Sequence, residues 1–158
     1  MLCYRGHKGR VEIRGTAHGR SAHAWNNTLG DNAGYQLIDI IAGIRGLDKE
    51  LPSDQFLGKA TIAVTDAQIH TASINAVPDL FSIFIDRRIT FGESLPEIVA
   101  QVDVLIPEQS RAAVKLTEMF DDTPSDTGFV LPGAQCFPPG ARDERHALVR
   151  PRPPARRA

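Results

Sequence analysis

The chain has 158 residues, 42% of them hydrophobic and 23% charged, which suits one globular domain with room for a core. A net charge of −1 argues against a basic nucleic-acid footprint or a membrane-binding surface. The two cysteines, Cys3 and Cys136, rule out a disulfide scaffold or a zinc knuckle, and no apolar run nears the roughly 20 residues that span a bilayer.

Residues 1–9 form a basic, glycine-punctuated lead-in (Arg5-Gly6-His7-Lys8-Gly9) with none of the character of a signal peptide, so the expected location is cytoplasmic. From 10 to 18, Val11, Ile13, Gly15 and Ala17 alternate with Glu12, Arg14, Thr16 and His18. This period of two predicts a half-buried strand. A polar loop follows at Gly19-Arg20-Ser21-Ala22-His23-Ala24. Asp31 or Asn32 can then N-cap a helix over 32–46, lined by Ala33, Leu37, Ile40, Ile41 and Ile44. Gly34 and Gly43 weaken that helix by about 1 kcal/mol each, which makes sense where a neighbour packs closely on them.

A second strand is expected over 59–69, and a turn at Thr71-Ala72-Ser73-Ile74-Asn75-Ala76-Val77-Pro78-Asp79. Pro78 there belongs at a strand start or a bulge. The clearest strand runs over 80–90, with Phe81, Ile83 and Ile85 on one face and Ser82, Phe84, Asp86 and Arg88 on the other. Ser94-Leu95-Pro96-Glu97 reads as a capping box, and Leu95, Ile98, Val99, Val102 and Ile106 line the helix it starts. A fourth strand spans 113–120.

The order β-α-β-β-α-β predicts an α+β, ferredoxin-like domain: a four-stranded antiparallel sheet with two helices on one face. Residues 121–138 carry turn chemistry. The last stretch, 139–158, has six arginines and four prolines and reads as a disordered tail.

Chemistry is sparse. The five histidines show no H-x-H, H-E-x-x-H or similar metal spacing, so no metal ligands are assigned in this chain. Ser21 and His23 are too close along an extended chain to form a nucleophile–base pair. His23, on its polar loop, fits a solvent-exposed histidine as well as a functional one. Asn75 fits an Asx-type turn as well as a ligand. Arg87 and Arg88 alternate faces. One is expected in a surface ion pair with Asp86 or Glu93, and the other is free to fork a carboxylate.

Four motifs in order then carry a resemblance: Gly19-x-Ser21-Ala22-His23-Ala24, Gly30-x-Asn32-Ala33, Asn75-Ala76-Val77-Pro78-Asp79 and Asp86-Arg87-Arg88. Together they resemble the lid, or dimerisation, domain of the family-twenty metallopeptidases, which include acetylornithine deacetylase, succinyl-diaminopimelate desuccinylase, aminoacylase and carboxypeptidase G. Arg5-Gly6-His7-Lys8-Gly9-Arg10 and Phe56-Leu57-Gly58-Lys59 look most like the selenium-metabolism hydrolase branch.

The resemblance covers about 4–138. It implies a homodimer in which His23 enters the partner subunit's active site to stabilise the oxyanion. Asn75 and Arg88 would hold a small amide or N-acyl amino-acid-like substrate. Two zinc or similar divalent ions would be held by a catalytic domain. On this reading the chain is a fragment: 1–9 leads in from that domain, 10–120 is the lid, 121–138 returns towards the catalytic domain, and the tail after Pro138 is foreign to the family. Trp25 is bulkier than the family's usual residue, and Asn27 stands where the family has proline. A stand-alone module binding a small metabolite or RNA is the rival, and the absence of aromatic residues on the first strand weighs against RNA.

Overall fold

The computed structural model describes residues 4–119, 124–130, 136–146 and 149. Its elements, in chain order, start with β1 (Gly6–His7), β2 (Gly9–His18), α1 (Ala33–Glu50), β3 (Ser53–Asp54), β4 (Gly58–Lys59) and β5 (Thr61–His70). They continue with β6 (Leu80–Ile89), α2 (Leu95–Asp103), β7 (Val114–Glu118), β8 (Cys136–Phe137) and β9 (Gly140–Ala141). Short 3₁₀ turns lie at Ala24–Leu29 and Glu108–Ser110.

The main sheet runs β5-β6-β2-β7, every pair antiparallel. β2 and β6 pair along their whole length, from Gly9 opposite Ile89 to His18 opposite Leu80. The alternation in β2 does what its period predicts. Val11, Ile13 and Ala17 are buried, while Arg14 and His18 are exposed. Ile83, Ile85 and Ile89 of β6 join them. Leu37, Ile40 and Ile44 of α1 and Ile98 and Val102 of α2 close over the same core, so both helices pack on one face. Each of these side chains contributes about 1.5–3 kcal/mol through burial.

Both helix starts follow from their caps. Asn32 Oδ1 accepts from the Gly34 N–H at 2.9 Å, and Glu97 Oε2 accepts from the Ser94 N–H at 3.1 Å. A Cβ on Gly43 would stand 3.0 Å from the Leu105 side chain, so the segment that leaves α2 packs closely on α1 there.

Three features differ from the sequence reading. First, α1 continues past Gly46 to Glu50, because Leu47 packs on the core and Leu51 is buried just beyond. That burial outweighs the helix penalty of one glycine.

Second, the sheet has five strands rather than four. β7 covers only residues 13–17 of β2, and β8 takes the free edge at Arg10 and Val11. The backbone groups left open by the short β7 are satisfied this way.

Third, the stretch read as a disordered tail contains β9, which pairs with β1 as Gly6 opposite Ala141 and His7 opposite Gly140. Arg5 stacks over the Phe56 ring at 4.4 Å and reaches Glu144 at 2.8 Å. Phe120, expected at the end of the fourth strand, lies outside the described residues, as do Cys3, 121–123, 131–135 and 150–158. Among the described residues no helix is long and apolar enough to cross a membrane.

Candidate functional site

His23 sits on a loop closed at its base by a reciprocal pair. Arg20 and Asp31 exchange both backbone hydrogen bonds at 2.8 Å. Gly19 is required just before it, since a Cβ there would lie 2.1 Å from the Asp31 carbonyl oxygen. The 73–79 segment then straps the loop down. The Gly19 N–H donates to Asp79 O, Val77 N–H to Ala22 O, and Ala24 N–H to Asn75 O, each at 2.8 Å. The Ala33 N–H donates to Pro78 O at 3.1 Å. His23 and Ala76 lie opposite one another as an isolated bridge.

These bonds carry His23 and Asn75, 52 positions apart in the sequence, to adjacent exposed places. His23 caps the 3₁₀ turn, and its Nδ1 accepts from the Trp25 N–H at 3.4 Å. In a neutral imidazole that contact puts the proton on Nε2, a donor with no partner among the described residues. The Asn75 side-chain amide has no hydrogen-bond partner among the described residues, so it is not spent on an Asx turn. The Asn75 backbone N–H donates to Ser73 Oγ at 3.3 Å. Trp25 and Ile74, which the sequence reading did not single out as site residues, flank the pair at 81% and 96% exposure.

Arg88 is elsewhere. It pairs with Arg10 at the far end of β6, eight positions from Leu80, or roughly 26 Å along the strand. Within one chain the structure therefore joins His23 to Asn75 and leaves Arg88 apart. Its guanidinium is forked on Asp86 at 2.7 and 3.1 Å, and Asp86 also accepts from Arg10 Nε at 3.0 Å.

Arg87 was expected on one of two roles, a surface pair or an open fork. It takes neither, being wholly buried (0% exposed) against Glu93. Parity carried the signal, since Arg87 shares its face with Ile85 and Ile89. Burial pulls the Arg87 guanidinium below its usual range, and the Glu93 charge opposes that shift.

Among the described residues no three His, Cys, Asp or Glu side chains converge where a metal could sit. The donors among the described residues do not fit a divalent site.

The fold is thus a small domain that presents an exposed histidine on a strapped loop. A profile of the peptidase dimerisation domain matches residues 5–114, and the chain belongs to that family. The uncharacterized protein YgeY of Escherichia coli K12 is 36% identical over 148 residues, 93% of this chain. The chain spans only 36% of that relative's length. A match of this extent takes in part of 139–158, so the reading of that whole stretch as foreign to the family does not stand.

Among solved structures, an amidase of the hydantoinase/carbamoylase family from Burkholderia phymatum has a TM-score of 0.63 at 16% identity, over 88% of this chain and 31% of that one. Aminopeptidase PepT from Bacillus cereus has a TM-score of 0.59 at 15% identity, over 91% and 34%. These two likenesses bear on the fold alone.

Proposed function

We propose that this chain is the dimerisation (lid) domain of a zinc-dependent amidohydrolase or peptidase, inactive by itself, that supplies His23 to a partner subunit's active site. The observation that carries the reading is the strap from Ala24 to Asn75. It holds the His23 backbone in an exposed loop, where Nδ1 accepts from the Trp25 N–H and Nε2 is left as a donor. In amide hydrolysis such a donor stabilises the oxyanion that develops as the tetrahedral intermediate forms. Asn75 adds a second unpaired hydrogen-bonding group beside it.

Arg88 stands too far from His23 in the same chain to share its substrate. It is proposed to hold a substrate carboxylate from the other side of an assembled site, with Asp86 aligning it until then. The two zinc or similar ions belong to the catalytic domain of the parent protein. The ferredoxin-like description of the lid rests on its four long strands and two helices on one face; β8 is an addition to that plan.

Self-association is proposed through the β5 edge and α1. The outer edge of β5 pairs with no strand among the described residues. The α1 face beside it exposes Tyr35 (72%) and Ile38 (55%). A cleft of about 490 Å³ between the two elements is lined by Ile41, Ile44, Arg45, Asp48, Ile62 and Val64, room enough for side chains of a second copy. Analytical ultracentrifugation with metal analysis and an amide-hydrolysis assay tests the reading. A dimer with neither stoichiometric zinc nor activity is expected. A strict monomer at high concentration, or hydrolysis by this chain alone, overturns it.

A further inference from the structure

We propose that Trp25 and Ile74 form an apolar wall beside His23 that selects substrates carrying an uncharged, aromatic or branched group next to the scissile amide. The inference rests on the reading of His23 as a residue supplied to a partner's active site.

Trp25 and Ile74 are large and apolar, yet 81% and 96% exposed, at the tips of the two loops tied together by Ala24 and Asn75. Side chains of that size left in water on one protrusion mark a contact surface. The indole centroid lies 6.4 Å from the imidazole centroid, with the rings tilted by 59°. A substrate group hydrogen-bonded to the imidazole therefore has the indole as its neighbour on the loop.

The charge pattern points the same way. Residues 21–29 and 72–78 contain no Lys, Arg, Asp or Glu, in a chain where 23% of residues are charged. The loops therefore offer no counter-ion for a charged substituent, and they would desolvate one at a cost. Contact of Trp25 with the partner's protein surface instead is an outcome of the test.

The experiment uses the full-length protein that carries this domain and measures kcat/KM on N-acetyl-L-phenylalanine, N-acetyl-L-leucine, N-acetylglycine and N-acetyl-L-aspartate. The wild type is expected to favour the first two. Trp25→Ala should lower the preference for N-acetyl-L-phenylalanine over N-acetylglycine at least tenfold, and Ile74→Ala should lower it less. Trp25→Phe, which keeps a ring in place, should retain most of it.

His23→Ala should lose activity on the whole panel. If it does, and Trp25→Ala leaves the preference unchanged or weakens all four substrates equally, the wall is overturned and the lid reading stands. Equal weakening is the result expected of a protein contact. If His23→Ala retains activity, the lid reading itself fails. A wild type that prefers N-acetyl-L-aspartate or N-acetylglycine, or cleaves none of the four, also overturns the wall.

Discussion

Where His18 faces Leu80, backbone amides tie the loops to the end of the β2–β6 ladder; where Arg10 faces Arg88, charged side chains are added to the ladder's own backbone pairing. At the first end the strap from 73–79 to 19–33 is made almost wholly of N–H to carbonyl bonds. His23, Trp25, Ile74 and Asn75 are left over, exposed and uncommitted. At the second end Arg10, Glu12, Asp86 and Arg88 form one connected charge network on the open face of the sheet. Arg87 and Glu93 form a buried pair on the other face, with Glu93 also accepting from the Thr90 N–H and hydroxyl at 2.7 and 3.1 Å. A loop whose backbone bonds are satisfied internally can offer its side chains to something else. An end built from ion pairs has few to offer: the Arg88 guanidinium, unlike the His23 imidazole, is already held by a carboxylate.

The contrast breaks most readily at Glu93. Glu93→Ala leaves a fully buried guanidinium without its carboxylate and strips Thr90 of its acceptor, so a loss of about 3–5 kcal/mol in chemical denaturation is expected. Asp86→Ala, on the exposed side of the same strand, should cost under about 1 kcal/mol. If the two variants lose equal stability, the Arg87 pair is open to water and the distinction between the faces of β6 is wrong. Arg87→Met, which removes the charge and fills the space, should recover much of the loss when combined with Glu93→Ala.

These ends were not equally legible in the sequence. The long strands follow from alternation and α2 from its capping box, since both signals are local. Arg87 was legible too: it falls on the Ile83–Ile85–Ile89 parity, and only the habit of placing arginines on surfaces hid it. β8 and β9 were not, because two residues carry no period and their pairing with β2 and β1 spans most of the chain. The strap was half legible. Pro78 marked the start of β6, but nothing in the spacing of Asn75 joined it to His23; that link came from the family resemblance. Trp25 was marked only for its bulk and Ile74 not at all, because exposure of an apolar side chain is a tertiary fact.

Glycines sharpen the comparison at smaller cost. Gly19→Ala puts a methyl against backbone at Asp31 and Ala33, which cannot swing aside. It should destabilise by about 1–3 kcal/mol and speed amide exchange at Arg20 and Asp31 first. Gly46→Ala, with nothing within 4 Å of the added Cβ and a helical backbone, should instead stabilise by about 0.5–1 kcal/mol. A neutral Gly19→Ala would mean that the base of the His23 loop is looser than its paired hydrogen bonds imply.

The strap end has one ionic contact of its own, and it is the weakest test. His70 Nδ1 lies 3.1 Å from Asp79 Oδ1, joining the end of the β5 edge to the residue whose carbonyl receives the Gly19 N–H. The hydrogen bond from His70 holds the Asp79 carboxyl below its ordinary value of 3.8, partly opposed by desolvation. A carboxylate with a depressed folded value stabilises the fold at every pH above its unfolded value. That contribution is lost as the pH falls through the lower, folded value. Asp79 should therefore titrate below 3.8 by carboxyl NMR, and His70→Ala should move its midpoint back up. The pair is exposed, so the effect on global stability should be small. If the midpoint does not respond to His70→Ala, the two side chains do not meet in solution, and the His23 end is held by backbone alone.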